Sequence, residues 1–191
     1  MPMLQFVLVE VLPAAAFLLP LYLLHFLQLR DMRKSCLYFL CSFYLCAVYA
    51  FAGLPNIAYI RFDLSGNLIP LAGMVCGVRS SIQNVFLFVP LGIFLPLLGR
   101  RYRRMKHALL FGFCMSLLIE LLQIFTYRAT DVNDLITNTA GAVLGFFLAQ
   151  LLMRTIPAVR QLARDKSNLL LVFGSAFVIM FFLQPAWLAW I

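Results

Sequence analysis

The charged residues of this chain fall in short clusters, and between the clusters lie apolar runs of close to twenty residues with almost no charge. That pattern leaves little choice of fold. A hydrocarbon core about 30 Å thick is crossed by roughly 20 helical residues, and in lipid each backbone polar group must find its partner within the segment. Six runs qualify or nearly do: 11–29, 35–54, 82–99, 107–127, 135–153 and 168–190. Of the 191 residues, 64% are hydrophobic and only 12% charged, the balance of an integral membrane protein. The expected fold class is all-α, a polytopic membrane helical bundle of about six transmembrane helices in one domain over 1–191. The first run, with Glu10, Pro13 and Pro20, is the least regular. A cleaved signal peptide is not expected there, because no basic residue precedes the run and no clear small-residue cleavage site follows it.

Orientation follows from lysine and arginine. Arg30, Arg33 and Lys34 follow the first run, Arg100, Arg101, Arg103, Arg104 and Lys106 the third, and Arg154, Arg160, Arg164 and Lys166 the fifth. Twelve of the fifteen basic residues thus fall on one side, with only Asp31 and Asp165 beside them. The positive-inside rule makes that side cytoplasmic, with both termini, the 55–81 loop and the 128–134 loop outside. Trp187 and Trp190 would then sit at the outer interface. The net charge of +8 is therefore topological, and RRYRRMKH is expected to meet anionic lipid headgroups rather than nucleic acid. The segment 55–81 is too apolar for a free loop and too broken by Gly66, Pro70 and Gly73 for a span. An interfacial or re-entrant outer segment fits both facts.

The stretch RATDVNDLITNTAGAVLG, residues 128–145, departs from this apolar pattern. Asp131, Asp134, Asn138, Gly141 and Gly145 recur at spacings of three and four, so a helix confines them to one stripe. In SLLIELLQIFTYR, Ser116, Glu120, Gln123 and Tyr127 do the same, with Glu120 about 10 Å below the outer end of the fourth span. A carboxylate at that depth should face a partner, a wet cavity or a proton. Asn84 opens NVFLFVPLG, and Asn67 lies in GNLIPL of the outer loop. The cysteines Cys36, Cys41, Cys46, Cys76 and Cys114 form no C-x-x-C pair and read as packing filler, and His25 and His107 are too isolated for a zinc site.

These elements resemble the VanZ-like family, whose pattern pairs an N-L-I-P-F-like element, N-x-x-x-F-x-P-x-G, S-x-x-x-E-x-x-Q and R-x-x-D-x-x-D-x-x-x-N-T-x-G-x-x-x-G. Here they read NLIPL (67–71, leucine replacing the usual phenylalanine), NVFLFVPLG (84–92), SLLIELLQ (116–123) and RATDVNDLITNTAGAVLG (128–145), making 67–145 the family-like core. The resemblance implies a small bacterial multi-pass protein whose namesake gives low-level resistance to teicoplanin, a lipoglycopeptide. It implies no biochemical mechanism.

Each element also has a purely structural reading. Gly141 and Gly145 suit close helix packing. Asp131 and Asp134 suit capping of the fifth helix, and Asn84 capping of the third. Arg128 is either the internal counter-charge of the two aspartates or a fork for an external phosphate or carboxylate. Glu120, Asp131, Asp134 and the amide oxygens of Asn84 or Asn138 are hard ligands of the kind Mg²⁺ or Ca²⁺ takes, though their spacing does not establish convergence.

The expected site is a polar pocket at the outer face, with Asn67, Asn84, Gln123, Arg128, Asp134 and Asn138 binding and Glu120 and Asp131 the candidate acid or base. Its expected partners are membrane lipids and an amphiphilic envelope component such as a lipid-linked cell-wall precursor. An enzyme acting on such a lipid, with or without a metal, and an adaptor that works by contact are the alternatives. A transporter is disfavoured, because ionisable residues are missing from the inner half of the spans.

Overall fold

The computed structural model describes residues 5, 7–63, 66–67, 78–126, 130–162 and 168–189. Expectations resting on Arg128, Tyr127, Cys76, Trp190, the side chain of Asn67 and the 68–77 part of the outer segment lie outside the described residues.

In chain order the elements are α1 (Ala14–Leu29), α2 (Met32–Ala52), β1 (Gly66–Asn67), α3 (Val78–Leu98), α4 (Met105–Gln123), β2 (Thr130–Asp131), α5 (Val132–Thr155), α6 (Pro157–Leu162), α7 (Leu169–Val178) and α8 (Gln184–Leu188). A π turn over Ile179–Leu183 joins α7 to α8 without a break, so the last apolar helix runs Leu169–Leu188. Five helices are long and apolar enough to cross a membrane: α2, α3, α4, α5 and Leu169–Leu188. The protein is an all-α polytopic membrane bundle. The first of the six expected spans is shorter, an apolar helix over Ala14–Gln28 preceded by a π turn at Val7–Val11 that carries Glu10.

The described chain divides into two compact units, Met1–Arg61 with Asn168–Ile191, and Phe62–Ser167. In the first, Arg30 takes a left-handed conformation that ends α1, and the Asp31 side chain accepts the Lys34 N–H to cap α2. Gly53, at φ 61°, ends α2 in the region that glycine alone enters freely. Inside, the Tyr22 hydroxyl meets Ser42 Oγ at 2.6 Å and the half-buried Ser175 Oγ at 3.2 Å, and Ser42 donates to the Val172 carbonyl, so hydroxyls of three helices bond one another. Gln184 Nε2 donates to Glu10 at 2.8 Å, and Asn56 Nδ2 donates to Gln184 Oε1 at 3.4 Å. His25 Nδ1 lies 2.8 Å from Ser35 Oγ.

The second unit is organised by α3 and α5, which run parallel with their backbones in contact. A Cβ on Gly141 would overlap the carbonyl of Val85, one on Gly145 that of Val89, and one on Gly92 that of Ala142. Small residues let two helices approach where lipid offers no hydrophobic drive to association. The close-packing reading of Gly141 and Gly145 therefore describes the structure, and Gly92, the glycine ending NVFLFVPLG, is its counterpart on α3. Across the other side of α5, a Cβ on Gly112 of α4 would stand 2.7 Å from Ala142 Cβ. The outward sides of α4 and α5 expose Leu110, Leu118, Leu121, Leu144, Phe147 and Leu151, side chains suited to lipid contact.

Candidate functional site: a polar cluster at one end of the second unit

Helix ends decide how the polar residues meet. Helix α4 stops at Gln123, where Thr126 donates both its N–H and its hydroxyl to the Gln123 carbonyl. Glu120 is therefore in the last turn, three residues and about 4.5 Å from the helix end rather than about 10 Å deep. At the next helix, Asp131 is the N-cap of α5: its Oδ1 accepts the Asn133 N–H at 2.8 Å, which adds a turn before the expected start. Asp134 lies in the first turn, where the helix dipole favours an acid.

These two ends are tied together. Glu120 Oε2 accepts the backbone N–H of Asp131 at 2.9 Å, and Thr130 Oγ1 lies 3.4 Å from the Glu120 carbonyl. The strand pair β1–β2 then sets Gly66 beside Thr130 and Asn67 beside Asp131 in parallel register. Asp63 N–H donates to the Ile124 carbonyl at 2.8 Å, and Phe62 lies against Phe125. The segment before β1 is thus fastened to the end of α4. Sequence elements more than sixty residues apart meet at this strand pair.

Below it lies a buried polar layer. Glu120, Gln123, Asn133 and Asn138 are each 4% exposed, so each polar atom must find a partner or carry the penalty of desolvation. Asn138 Nδ2 donates to Ser116 Oγ at 3.0 Å across α4 and α5, while the buried Asn138 Oδ1 has no hydrogen-bond partner among the described residues. Thr137 Oγ1 bonds the carbonyls of Asn133 and Asp134.

Asn84 is not a cap. Nothing between Val78 and Ser81 breaks a helix, so α3 is already formed at Val78, six residues before Asn84, and Asn84 stands within it, half-buried and beside the Val85 carbonyl that faces Gly141. Its amide has no hydrogen-bond partner among the described residues. An apolar groove of about 330 Å³ is lined by Val78, Ser81, Ile82, Val85 and Phe86 of α3 and by Thr137 of α5.

The structure therefore brings Glu120, Asp131 and the Asn67 backbone together, sets Gln123 one turn from Glu120, and joins Asn138 to Ser116. Asn133 was missed by the sequence reading, which followed the stripe through Asp134 and Asn138. A signal was present, because Asn133, Thr137, Gly141 and Gly145 recur at every fourth position. Among the described residues no group of three or more His, Cys, Asp or Glu side chains is placed to hold a metal ion. The carboxylates of Glu120 and Asp131 are instead turned to backbone N–H groups.

Fold and cluster together define a class: a polytopic helical membrane protein whose polar residues are gathered at one end of a glycine-packed helix pair. Within that class the chain belongs to the VanZ/LLP1 family, which it matches over residues 35–153. It is also similar to the protein VanZ of Enterococcus faecium, 40% identical over 73 residues that make up 37% of this chain and 44% of that protein. The chain thus aligns with less than half the length of that relative. No solved structure matches. The protein is a bacterial multi-pass membrane protein.

Proposed function

We propose that the polar cluster recognises the head of an amphiphilic cell-envelope component, such as a lipid-linked cell-wall precursor, in the outer leaflet. The observation that supports this is an apolar groove on α3 and α5 whose lining residues are sequence neighbours of Asn84 and Asn138. Thr137 closes the groove formed by Val78, Ile82, Val85 and Phe86, and its neighbour in sequence is Asn138, whose buried Oδ1 has no hydrogen-bond partner among the described residues. Binding sites are mostly apolar with a few placed polar groups, and an acyl or prenyl chain along the groove would bring its head to Asn84 and Asn138. Arg128, Asp134, Gln123 and Asn67 are the further candidates for the head. The resemblance to the VanZ-like family, whose namesake gives low-level resistance to the lipoglycopeptide teicoplanin, is consistent with an envelope ligand.

Recognition is favoured over catalysis because Glu120 and Asp131 each hold a backbone N–H, which gives both a positioning role. The orientation proposed is that of the positive-inside rule, with the cluster and both termini outside.

The test is native mass spectrometry of lipids retained by gently purified protein. An amphiphile enriched over the bulk membrane should be lost in Ile82→Trp, which fills the groove, and in Asn84→Ala, with the melting temperature of each variant near wild type. Retention of the same lipids in the same proportions by all three proteins would overturn the reading.

A further inference from the structure

At the opposite end of α5 lies a second concavity, which the polar cluster does not involve. It measures about 340 Å³ and is lined by Arg103, Gln150, Met153, Arg154 and Arg160. Three chain segments build it: the 3-10 turn Arg100–Arg103, the last turns of α5, and α6. Two hydrogen bonds hold them in place. Gln150 Nε2 donates to the Arg103 carbonyl at 3.0 Å, and Arg103 Nη2 donates to the Arg160 carbonyl at 3.1 Å.

We infer that this pocket binds a phosphate-bearing anion, with the headgroup of an anionic phospholipid as its source. Three arginines are among the five residues that line this one concavity, and none of its lining residues is a carboxylate. Like charges gathered in this way repel, and the side chains of Arg154 and Arg160 have no hydrogen-bond or ion-pair partner among the described residues. A bound anion removes that repulsion. Guanidinium forks match phosphate oxygens in pairs, which a diffuse patch of lysines would not do.

Depth points to a lipid. Helix α5 has 24 residues, about 36 Å of helix against a hydrocarbon core of about 30 Å, so with Val132 at one boundary Arg154 stands at the headgroup level of the other. Basic pockets between transmembrane helices at that level suit anionic headgroups. Met153, on the helix wall of the pocket, offers an apolar contact to the start of a lipid chain.

The test measures uptake by the full-length protein in detergent, using native mass spectrometry with phosphatidylglycerol, phosphatidylcholine and inorganic phosphate as separate probes. The wild type should retain phosphatidylglycerol over phosphatidylcholine by roughly tenfold, and Arg154→Gln with Arg160→Gln should bring the two within about twofold. Arg101→Gln with Arg104→Gln removes the same charge from exposed positions outside the pocket and should leave the preference intact. Uptake of inorganic phosphate without lipid, lost in the pocket variant alone, supports the anion site and assigns it a soluble source. Equal loss in both double variants would overturn the inference, because surface charge alone would then explain binding. A preference absent in the wild type but emerging in Asp165→Asn would also overturn it, since the chain would then supply its own counter-charge.

Discussion

The Glu120 carboxylate accepts the backbone N–H of Asp131 at 2.9 Å, so the last turn of α4 holds the residue that caps α5. A buried acid that sequence spacing marks as a candidate for chemistry is thereby also a structural clasp. Its two roles separate by substitution. Glu120→Ala leaves the Asp131 N–H without this acceptor and should cost about 1–3 kcal/mol. Glu120→Gln keeps an oxygen at the same reach and should melt close to wild type. Thermal unfolding in detergent compares them; an alanine variant as stable as wild type would remove the clasp, and a stable glutamine variant without function would assign the carboxylate to the ligand.

Asp131 yields a parallel comparison at the helix cap. Asp131→Asn preserves a side-chain acceptor for the Asn133 N–H and should retain stability, whereas Asp131→Ala should lose about 1 kcal/mol. Equal melting temperatures for the two variants would show that the cap contributes nothing measurable.

Helix contact predicts a sharper effect. Gly145→Ala and Gly92→Ala each set a methyl into a facing backbone carbonyl, which cannot swing away as a side chain would, so losses of about 1–3 kcal/mol or more are expected. Gly174→Ala is the control. A Cβ there meets nothing within 4 Å, and alanine should be neutral or stabilise α7 by up to about 1 kcal/mol. Similar melting temperatures for all three would contradict the close approach of α3 and α5.

Topology is tested by accessibility. In a background lacking Cys36, Cys76 and Cys114, a cysteine replacing the exposed Tyr59 should react with a membrane-impermeant thiol reagent in intact cells. One replacing Arg101 should react only after the membrane is opened. The reverse pattern would move the polar cluster to the cytoplasmic side.

Much of the architecture was legible because membrane helices answer to a local rule. Hydropathy placed α2 to α5 and the last helix to within a turn or so, since each must satisfy its own backbone in lipid. Spacing also exposed the polar stripe of α5 and its glycines, as helical periodicity makes neighbours of residues three and four apart. Helix ends were less legible. Helix α3 is already formed at Val78, which sets Asn84 inside a helix, and α4 ends at Gln123, which sets Glu120 at the edge of one; hydropathy changes gradually and does not mark where helical hydrogen bonding stops.

The sequence by itself determined that this chain is a multi-pass helical membrane protein, which residues are polar within its spans, and that Gly141 and Gly145 share a face with Asp134 and Asn138. Only the tertiary structure decided who meets whom. The parallel contact of α3 with α5, the pairing of Asn67 with Asp131, the Asn138 to Ser116 bond and the Glu120 clasp join segments separated by turns and whole helices. Periodicity is a property of one helix about its own axis. Which faces turn toward each other depends on the packing of all the helices together, and that packing is not written in any single span.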